Sequence, residues 1–552
     1  MIVFDHVSVQ YSTADSPTLT GVNLQIDDGQ LVLVAGPTGS GKSTLLGAIN
    51  GHVPHFTGGT LSGSVEVEGL STADYPPRDL AHIVGRVSQD PLAGFVTDTV
   101  EEELAYSLEQ MGVDPMRMRT RVEETLDILG LAEVRSRALV SLSSGQQQRV
   151  AIGSALAAGV RVLVLDEPTS ALDPGSSEEV LATLLRLVHD LGLTVVMAEH
   201  RLERVISYAD QMILLGPQGQ VTQGTTREMI QESLLQPPVV VLGRIAGFDS
   251  VPLSVRQARS MAGPLRESLA TKNEADYPRV PPAQGKSSVP LSLHATTTLV
   301  DTPGLTATKL NVTYGGTIAV DNVSLEMPPG QVSVIMGRNG SGKSSLLWAL
   351  TGVTPLSSGR FSVGGKRLDN QPPAVIRDYC RLVPSNASDL LFCSTVAEEC
   401  EAADSYSGQP GLCRQVLDAL APHIDPISHP RDLSEGQKLS LVLAIQLTAF
   451  PQVILLDEPT RGLDYQAKAT LAQILEEMAN QGRVVGVVTH DVEFAAEVAH
   501  QICVMASGEI IQTGTAAGVL GSSALFAPQV AKIVYPQPWL TPYQVAQALG
   551  DS

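Results

Sequence analysis

The chain of 552 residues lacks the marks of a membrane-embedded or secreted protein. It has no stretch of about eighteen or more apolar residues, so we expect that it does not span a membrane itself. Residues 1–5 lack the basic and apolar regions of a signal peptide. We therefore expect a cytosolic protein.

Basic residues and cysteines are also scarce. The chain has 36 lysines and arginines and 58 aspartates and glutamates. The resulting net charge of −22 opposes non-specific binding of nucleic acid or anionic lipid. The five cysteines lie in the second half and form no C-x-x-C pair. This usage favours reduced thiols in the core over zinc ligation or disulfides.

The chain does contain two complete G-x-x-x-x-G-K-[ST] loops. Each follows an apolar run that predicts a buried strand and precedes an apolar helix. In such loops backbone N–H groups face a triphosphate, the lysine reaches the outer phosphates and the next hydroxyl ligates Mg²⁺. The predicted nucleotide-binding residues are Gly36, Pro37, Thr38, Gly39, Ser40, Gly41, Lys42, Ser43 and Thr44, and Gly337, Arg338, Asn339, Gly340, Ser341, Gly342, Lys343, Ser344 and Ser345.

Other residues repeat at nearly the same separation, which indicates a tandem duplication. The pairs are Tyr11 and Tyr314, Ser143 and Ser434, Asp166 and Asp457, and His200 and His490, with offsets of 303, 291, 291 and 290. We predict an ATPase core at 1–236, its C-terminal appendix at 237–272, a flexible Pro/Ser/Thr-rich linker at 273–306, a second core at 307–522 and its appendix at 523–552.

The two predicted appendices share a helix-capping pattern. Ser254-x-x-Gln257 and Thr541-x-x-Gln544 are S/T-x-x-Q capping boxes, the second with proline at the first helical position. Two unrelated surface helices remain an alternative.

Two apolar strands each end in a pair of carboxylates, Asp166-Glu167 and Asp457-Glu458. The first acid of each pair is placed to hold the water shell of Mg²⁺. The second is placed to accept a proton from the attacking water or to polarise it.

Upstream of each acid pair stands a Leu-Ser-x-Gly-Gln segment, with Ser143, Gly145 and Gln146 in the first half and Ser434, Gly436 and Gln437 in the second. The serine precedes the aspartate by 23 residues in both halves. The segment resembles the signature sequence of ATP-binding-cassette (ABC) proteins, although serine is also an ordinary helix N-cap.

The resemblance implies further roles. Tyr11 and Tyr314 would stack on adenine, unless they are packing residues. Gln89 would join the Mg²⁺ site to the interface with a membrane subunit, His200 and His490 would contact the γ-phosphate, and Asp173 and Asp464 lie in the loop that crosses between cassettes.

In this family two cassettes close head to tail around two ATP molecules, so a duplicated chain can form an intramolecular pseudo-dimer. One site would combine Lys42, Ser43, Gln89, Asp166, Glu167 and His200 with residues 434–437. The other would combine Lys343, Ser344, Asp457, Glu458 and His490 with residues 143–146. Ser385 stands where the second half should have its glutamine, so reduced turnover at the second site is plausible.

Residues 99–106, residues 197–202 and the appendices are similar to the ATPase subunits of energy-coupling factor (ECF) importers. That likeness implies a peripheral protein at the cytoplasmic face of the cell membrane, bound to a transmembrane T component and, with it, to an S component that binds a vitamin or metal. The acidic Glu101, Glu102 and Glu103, like Glu398 and Glu399, could receive basic residues of the T component or could simply be solvated.

Three alternatives remain. A ribosome-associated tandem cassette would be expected to have a charged helical linker and basic surfaces, and a sugar-importer ATPase often has one degraded phosphate loop. A purely regulatory ATP-binding module fits least, because Glu167 and Glu458 are retained. The predicted fold is α/β: two cassettes, each with a parallel core sheet, an antiparallel β portion, a helical signature subdomain and a helical appendix.

Overall fold

The computed structural model describes residues 1–12, 14, 16–216, 219–281, 303–422 and 424–550. The chain divides into two units, Met1–Val240 with Ser250–Ser254, and Val241–Asp249 with Val255–Ser552. The elements of the first unit are β1 (Ile2–Gln10), β2 (Leu19–Ile26), β3 (Leu31–Ala35), α1 (Lys42–Ile49), α2 (His52–His55), β4 (Thr60–Val67), β5 (Leu70–Ser71), α3 (Pro77–Leu80), β6 (Val84–Val87), α4 (Val100–Gln110), α5 (Pro115–Leu129), α6 (Ser144–Ala157), β7 (Val162–Asp166), α7 (Pro174–Leu191), β8 (Thr194–Ala198), α8 (Leu202–Val205), β9 (Gln211–Leu215), β10 (Val221–Thr225) and α9 (Thr226–Glu232).

Two sheets form the first unit within its described residues. The order β2-β1-β4-β5 is antiparallel, and in the order β10-β9-β3-β8-β7-β6 all pairs but β10 with β9 are parallel. All five residues of β3 are buried, as are the first four of β7, because parallel strands are covered on both faces. Helices α4, α5 and α6 pack together as a helical subdomain.

The chain then continues into the second unit. Its elements, after α10 (Pro238–Ile245) at the boundary, are α11 (Val255–Met261), α12 (Gly263–Leu269), β11 (Leu305–Tyr314), β12 (Thr317–Met327), β13 (Gln331–Met336), α13 (Lys343–Leu350), β14 (Ser358–Val363), β15 (Lys366–Arg367), α14 (Pro373–Arg377), β16 (Cys380–Val383), α15 (Val396–Ser407), α16 (Leu412–Leu420), α17 (Glu435–Leu447), β17 (Val453–Asp457), α18 (Tyr465–Asn480), β18 (Val484–Val488), α19 (Val492–Val498), β19 (Gln501–Ala506), β20 (Glu509–Thr515), α20 (Ala516–Leu520), α21 (Gln529–Val534) and α22 (Pro542–Leu549).

The second unit repeats the strand orders of the first. Its sheets run β12-β11-β14-β15 and β16-β17-β18-β13-β19-β20, which match the first unit strand for strand. The predicted fold class of two tandem α/β cassettes is therefore confirmed. The five cysteines are free thiols, and all except Cys393 are buried.

The first appendix belongs to the second unit, which the sequence did not predict. Helix α11 packs on α21, and α12 packs on α22. Hydrogen bonds join these helices in both directions: Arg266 donates to the Ile533 carbonyl (3.4 Å), Gln537 donates to the Arg266 carbonyl (3.3 Å), and Lys272 donates to the Ala548 carbonyl. The two appendices thus form one helical cluster.

The predicted linker is anchored at its start. Residues Glu274–Asp276 form a 3-10 helix, Gln544 donates to the carbonyls of Glu274 and Tyr277, and Thr541 donates to the carbonyl of Arg279. Strand β11 already begins at Leu305. Residues 273–281 are therefore not a free tether, and residues 282–302 lie outside the described part of the chain.

Within the described residues, no helix combines the length and apolarity that crossing a lipid bilayer requires.

The two tryptophans of the chain allow a direct stability test of the helical cluster. Trp539 is 1% exposed and its ring centroid lies 5.4 Å from that of Tyr277, whereas Trp348 is 38% exposed. We expect Trp539→Ala to lower the free energy of unfolding of the second unit by about 3–5 kcal/mol because it leaves a cavity. The control Trp348→Ala should cost about 1 kcal/mol or less. Each variant keeps one tryptophan, whose fluorescence follows urea unfolding; equal losses would contradict the packing.

Candidate nucleotide site

Both phosphate-binding loops connect a central strand to a helix that begins at the lysine. Lys42 starts α1 directly after Gly41, which has φ 99°, and Lys343 starts α13 after Gly342, also at φ 99°. Such positive φ values favour glycine. Lys42 Nζ donates to the carbonyls of Gly36 (2.9 Å) and Pro37 (3.0 Å), and Lys343 bonds Gly337 and Arg338 in the same way. Each lysine side chain is thus buried and hydrogen-bonded to the backbone of its own loop.

The first glycine of each loop allows a close backbone approach. A Cβ atom on Gly36 would lie 2.7 Å from the carbonyl oxygen of Leu215, and one on Gly337 would lie 2.2 Å from that of Met505. The loops could not keep this path with a larger residue. The N-terminus of a helix and a glycine loop of this shape suit a phosphate.

The predicted Mg²⁺ ligands meet beside each loop. Burial raises the pKa of Asp166, and it raises the pKa of Asp457 to about 6. Ser43 is near enough to Asp166 to act in the opposite direction and lower the pKa of that carboxyl, and Ser344 acts on Asp457 in the same way. Oδ1 of Asp457 is buried without a hydrogen-bond partner. A hydroxyl and a carboxylate are oxygen ligands of the kind that Mg²⁺ prefers, so the residues present fit this ion.

A glutamate and a histidine form a close pair next to each aspartate. His200 Nε2 lies 2.9 Å from Glu167 Oε1, and His490 Nδ1 lies 2.7 Å from Glu458 Oε2. Burial alone would raise the pKa of Glu167, but the His200 hydrogen bond and nearby positive charges hold that pKa below its ordinary value. Glu167 is therefore ionised at neutral pH and can accept a proton.

Both glutamates have an unusual backbone. Glu167 and Glu458 each have φ 49°, in the left-handed region that non-glycine residues rarely adopt. Their N–H groups donate to the carbonyls of Ala198 (3.0 Å) and Val488 (2.8 Å) on the neighbouring strand. Such strained residues cluster at functional sites, and the same strain in both units supports a shared role.

The two units differ at the position of Gln89. Gln89 Nε2 donates to Glu167 Oε2 at 3.3 Å. Strand β6 pairs with β7 in the register in which β16 pairs with β17, Val84 with Val162 and Cys380 with Val453. This register places Ser385 at the position of Gln89, as matching the two halves of the sequence predicted.

The signature serines are helix N-caps in both units. Ser143 and Gln146 form a reciprocal capping box at the start of α6, and Ser434 and Gln437 do so at α17. Gly145 and Gly436 lie in the first turns of these helices. The ordinary capping role is thus present, and the nucleotide contact of these residues stays a prediction.

The predicted adenine-stacking tyrosines differ in their surroundings. Tyr11 is hydrogen-bonded to Thr44 of the first loop, with 3.0 Å between the hydroxyl oxygens. Tyr314 is 41% exposed and bonds Thr354 at 3.1 Å, outside the second loop. Tyr11 is therefore the better placed of the two, and stacking remains a prediction for both.

The acidic run after Gln89 is used inside the first unit, and this use is neither of the two alternatives left open by the sequence, charge offered to a partner or a solvated run. Glu101 is paired with Arg135, with 2.8 Å between Oε1 and Nη2, and Glu102 completes a capping box with Thr99. Glu103 is buried and accepts bonds from the N–H groups of Val96 and Thr97, both at 3.0 Å. Glu398 and Glu399 act in the same two ways in the second unit.

A groove of about 620 Å³ opens in the first unit, and its lining includes Ser88, the residue before Gln89. One wall is a row of small residues on α6, namely Ala151, Ser154 and Ala155, and Met111 forms part of the rim. Gly85 permits this close packing, because a Cβ atom there would lie 2.6 Å from the Cβ of Ala155. The resemblance to ECF ATPases implied a groove near Gln89, but its wall of small residues, spaced at i, i+3 and i+4 on α6, was not predicted.

The equivalent positions of the second unit carry larger side chains. Val442, Ile445 and Gln446 replace the three small residues, and Arg381 replaces Gly85. The guanidinium carbon of Arg381 lies 5.0 Å from the ring centroid of Tyr406, whose hydroxyl donates to Asp378 at 2.9 Å. The two units therefore present chemically different surfaces at this place.

Comparison with known proteins gives a consistent family. The model of the family described as "ABC transporter" matches residues 19–170 and 320–461, together more than half of the chain. The chain is 51% identical to a provisionally named ABC transporter ATP-binding protein of Streptomyces avermitilis, with complete coverage of both chains. It is 30% identical to one of Methanosarcina mazei, covering 97% of this chain and 93% of that one.

A solved structure supports the fold. The chain is similar to one from a ribosome-bound assembly of archaeal Pelota and ABCE1, with a TM-score of 0.59 and 20% identity, over 93% of this chain and 79% of that one. At this identity the likeness concerns the fold alone.

The buried acceptor role of Glu103 can be tested directly. Glu103→Ala should leave the part-buried N–H groups of Val96 and Thr97 without their acceptor, at a total cost of about 1–3 kcal/mol. We expect faster amide hydrogen exchange at residues 95–98. The control Glu101→Ala removes a half-exposed ion pair and should cost about 1 kcal/mol or less. If both variants exchange alike, Glu103 does not hold this segment.

Proposed function

Because the chain belongs to the ABC transporter family, whose ATP-binding proteins are ATPases, we propose that it energises an ECF-type importer of a vitamin or another micronutrient. The observation that carries this proposal is the open groove beside Gln89, next to an intact nucleotide site. A groove with small, apolar and charged side chains in its lining, among them Arg78 and Arg86, suits a protein partner whose binding is coupled to ATP hydrolysis at the neighbouring site.

The chemistry follows from the described residues of each unit. Lys42 and Lys343 would bind the outer phosphates, and Ser43 with Asp166, Ser344 with Asp457, and Gln89 would hold Mg²⁺ and its water shell. The bound ion would neutralise charge on the phosphates. Ionised Glu167 would polarise the attacking water, and His200, 2.9 Å from that carboxylate, would keep it oriented.

The pairing of each phosphate loop with the other cassette's signature segment is also part of the proposal, and it rests on the family resemblance. Residues 434–437 would complete the site of Lys42, and residues 143–146 that of Lys343. The N-terminus of a capped helix carries partial positive charge, which suits a γ-phosphate.

The partner of the groove would be a helix end of an integral membrane subunit, the T component, which would also connect the chain to a substrate-binding S component. Glu101, Glu102 and Glu103, which could have received basic residues of the T component, are engaged inside the unit, so docking would depend on the groove lining itself. The chain would then lie at the cytoplasmic face of the membrane and reach the bilayer only through these subunits.

The first test concerns hydrolysis. Glu167→Gln should nearly abolish steady-state ATP turnover and preserve ATP binding, because it removes the ionised acceptor and leaves the phosphate loop intact. Glu458→Gln should lower turnover less if Ser385 weakens the second site, and Ser385→Gln should then raise it. Unchanged turnover in Glu167→Gln would refute the assigned role; equal losses from both glutamates, with no effect of Ser385→Gln, would show equivalent sites.

The second test concerns the groove. Met111 is 41% exposed at the rim, and Met116 is 79% exposed and lies outside the lining. We expect Met111→Glu to lower the amount of chain that sediments with native membranes about tenfold, the change in affinity that about 1.4 kcal/mol produces. Met116→Glu should sediment like the wild type, and both variants should bind ATP. Sedimentation of the wild type with ribosomes and never with membranes would overturn the transport proposal.

A further inference from the structure

We propose that Arg204 is a positioning residue of the first unit, which ties the loop after Glu167 to the segment that carries His200. The inference rests on the proposed roles of Glu167 and His200. The loop comprises residues 168–173 between β7 and α7, and the segment comprises residues 199–205, after β8.

The backbone of Thr169 is held from both sides by this segment. Its N–H donates to Glu199 Oε1 at 2.9 Å, and its carbonyl accepts from Arg204 Nη1 at 3.0 Å. Thr169 is fully buried and Glu199 is 2% exposed, so solvent cannot replace these bonds. One peptide position of the loop is thus fixed by two side chains of this segment.

The same guanidinium group reaches the end of the loop. Arg204 Nη1 donates to the hydroxyl of Ser177 at 2.6 Å, and that hydroxyl donates to the carbonyl of Asp173 at 2.9 Å. Ser177 is 1% exposed. The guanidinium therefore connects both ends of the loop, because Thr169 lies at its start and Asp173 at its end.

Electrostatics agrees with the geometry. Burial raises the pKa of Glu199, the ionised Glu167 raises it further, and the charge of Arg204 acts to lower it. Without Arg204, no positive charge of this residue would offset the repulsion between the carboxylates of Glu199 and Glu167. The arginine therefore serves two functions, as a donor to the loop and as a counter-charge.

The position of Glu167 depends on this loop. Glu167 has φ 49°, and the Ser170 hydroxyl donates to its carbonyl at 3.0 Å. A non-glycine residue persists in this conformation only when its surroundings hold it there. Since β7 fixes one side of Glu167 and the loop fixes the other, a loosened loop would let its carboxylate move from His200.

The second unit uses other residues at these positions. Thr489 stands in place of Glu199, Phe494 in place of Arg204, and Lys468 in place of Ser177. Thr460 and Thr489 are 3.4 Å apart at their hydroxyl oxygens, and Lys468 Nζ donates to Asp491 Oδ2 at 2.7 Å in a buried ion pair. That pair joins α18 to the N-cap of α19, so it connects helices rather than the loop backbone.

The experiment compares Arg204→Met and Arg204→Lys in the full chain, with Glu167→Gln measured in the same assay. We expect Arg204→Met to lower the Glu167-dependent part of kcat about tenfold, the order expected from a small misplacement of a catalytic group, with the KM for ATP unchanged. Arg204→Lys should restore part of that kcat, because an ammonium group can still donate to the loop carbonyls. Thermal unfolding is recorded for each variant.

A smaller change keeps the test valid if Arg204→Met does not fold. Ser177→Ala removes one partner of Arg204 and should lower the same part of kcat by about threefold, less than Arg204→Met does because the bond from Arg204 to the Thr169 carbonyl remains. A kcat equal to the wild type in the folded variants, or a rise in KM alone, would overturn the positioning role. Retained turnover in Glu167→Gln would instead refute the role of Glu167 on which the inference rests.

Discussion

The register in which the central strands pair is the constraint on which each nucleotide site depends. Asp166 lies opposite Ala198, and Asp457 lies opposite Val488. The residues that follow these positions therefore lie at the same edge of the sheet. Glu167 and Glu458 follow the aspartates, and His200 and His490 follow the neighbouring strands. A shift of one residue in the pairing of β7 with β8, or of β17 with β18, would separate the glutamate from the histidine, because successive side chains of a strand point to opposite faces.

The sequence predicted those parts that local chemistry determines. The phosphate loops lie between a buried strand and a helix, β3 coincides with the apolar run at residues 31–35, and the capping box at Thr541 is present as expected. In these cases the residues that make the structure are neighbours in the chain, so their spacing carries the information.

The sequence did not predict contacts whose partners are set by the fold. For Glu103 and Glu399 the sequence left open a role in docking or a solvated acidic run, but both accept hydrogen bonds from backbone N–H groups of a nearby loop. Arg279 lies in a segment whose composition indicated a flexible tether, yet it is half-buried and donates to the Ala499 carbonyl. These contacts form because an unpaired donor inside the protein costs free energy. The composition of a segment does not indicate which donors the fold will bring to it.

The helical cluster in the second unit has a consequence for how the gene could be divided. Cutting the chain between residues 282 and 302 would leave α11 and α12 on the first polypeptide and their partners α21 and α22 on the second. The surfaces that these helices bury would then act as matching ends of two separate subunits. The covalent connection raises the effective concentration of α11 and α12 at α21 and α22. A fused chain and a heterodimer of two separate polypeptides could therefore form the same helical cluster.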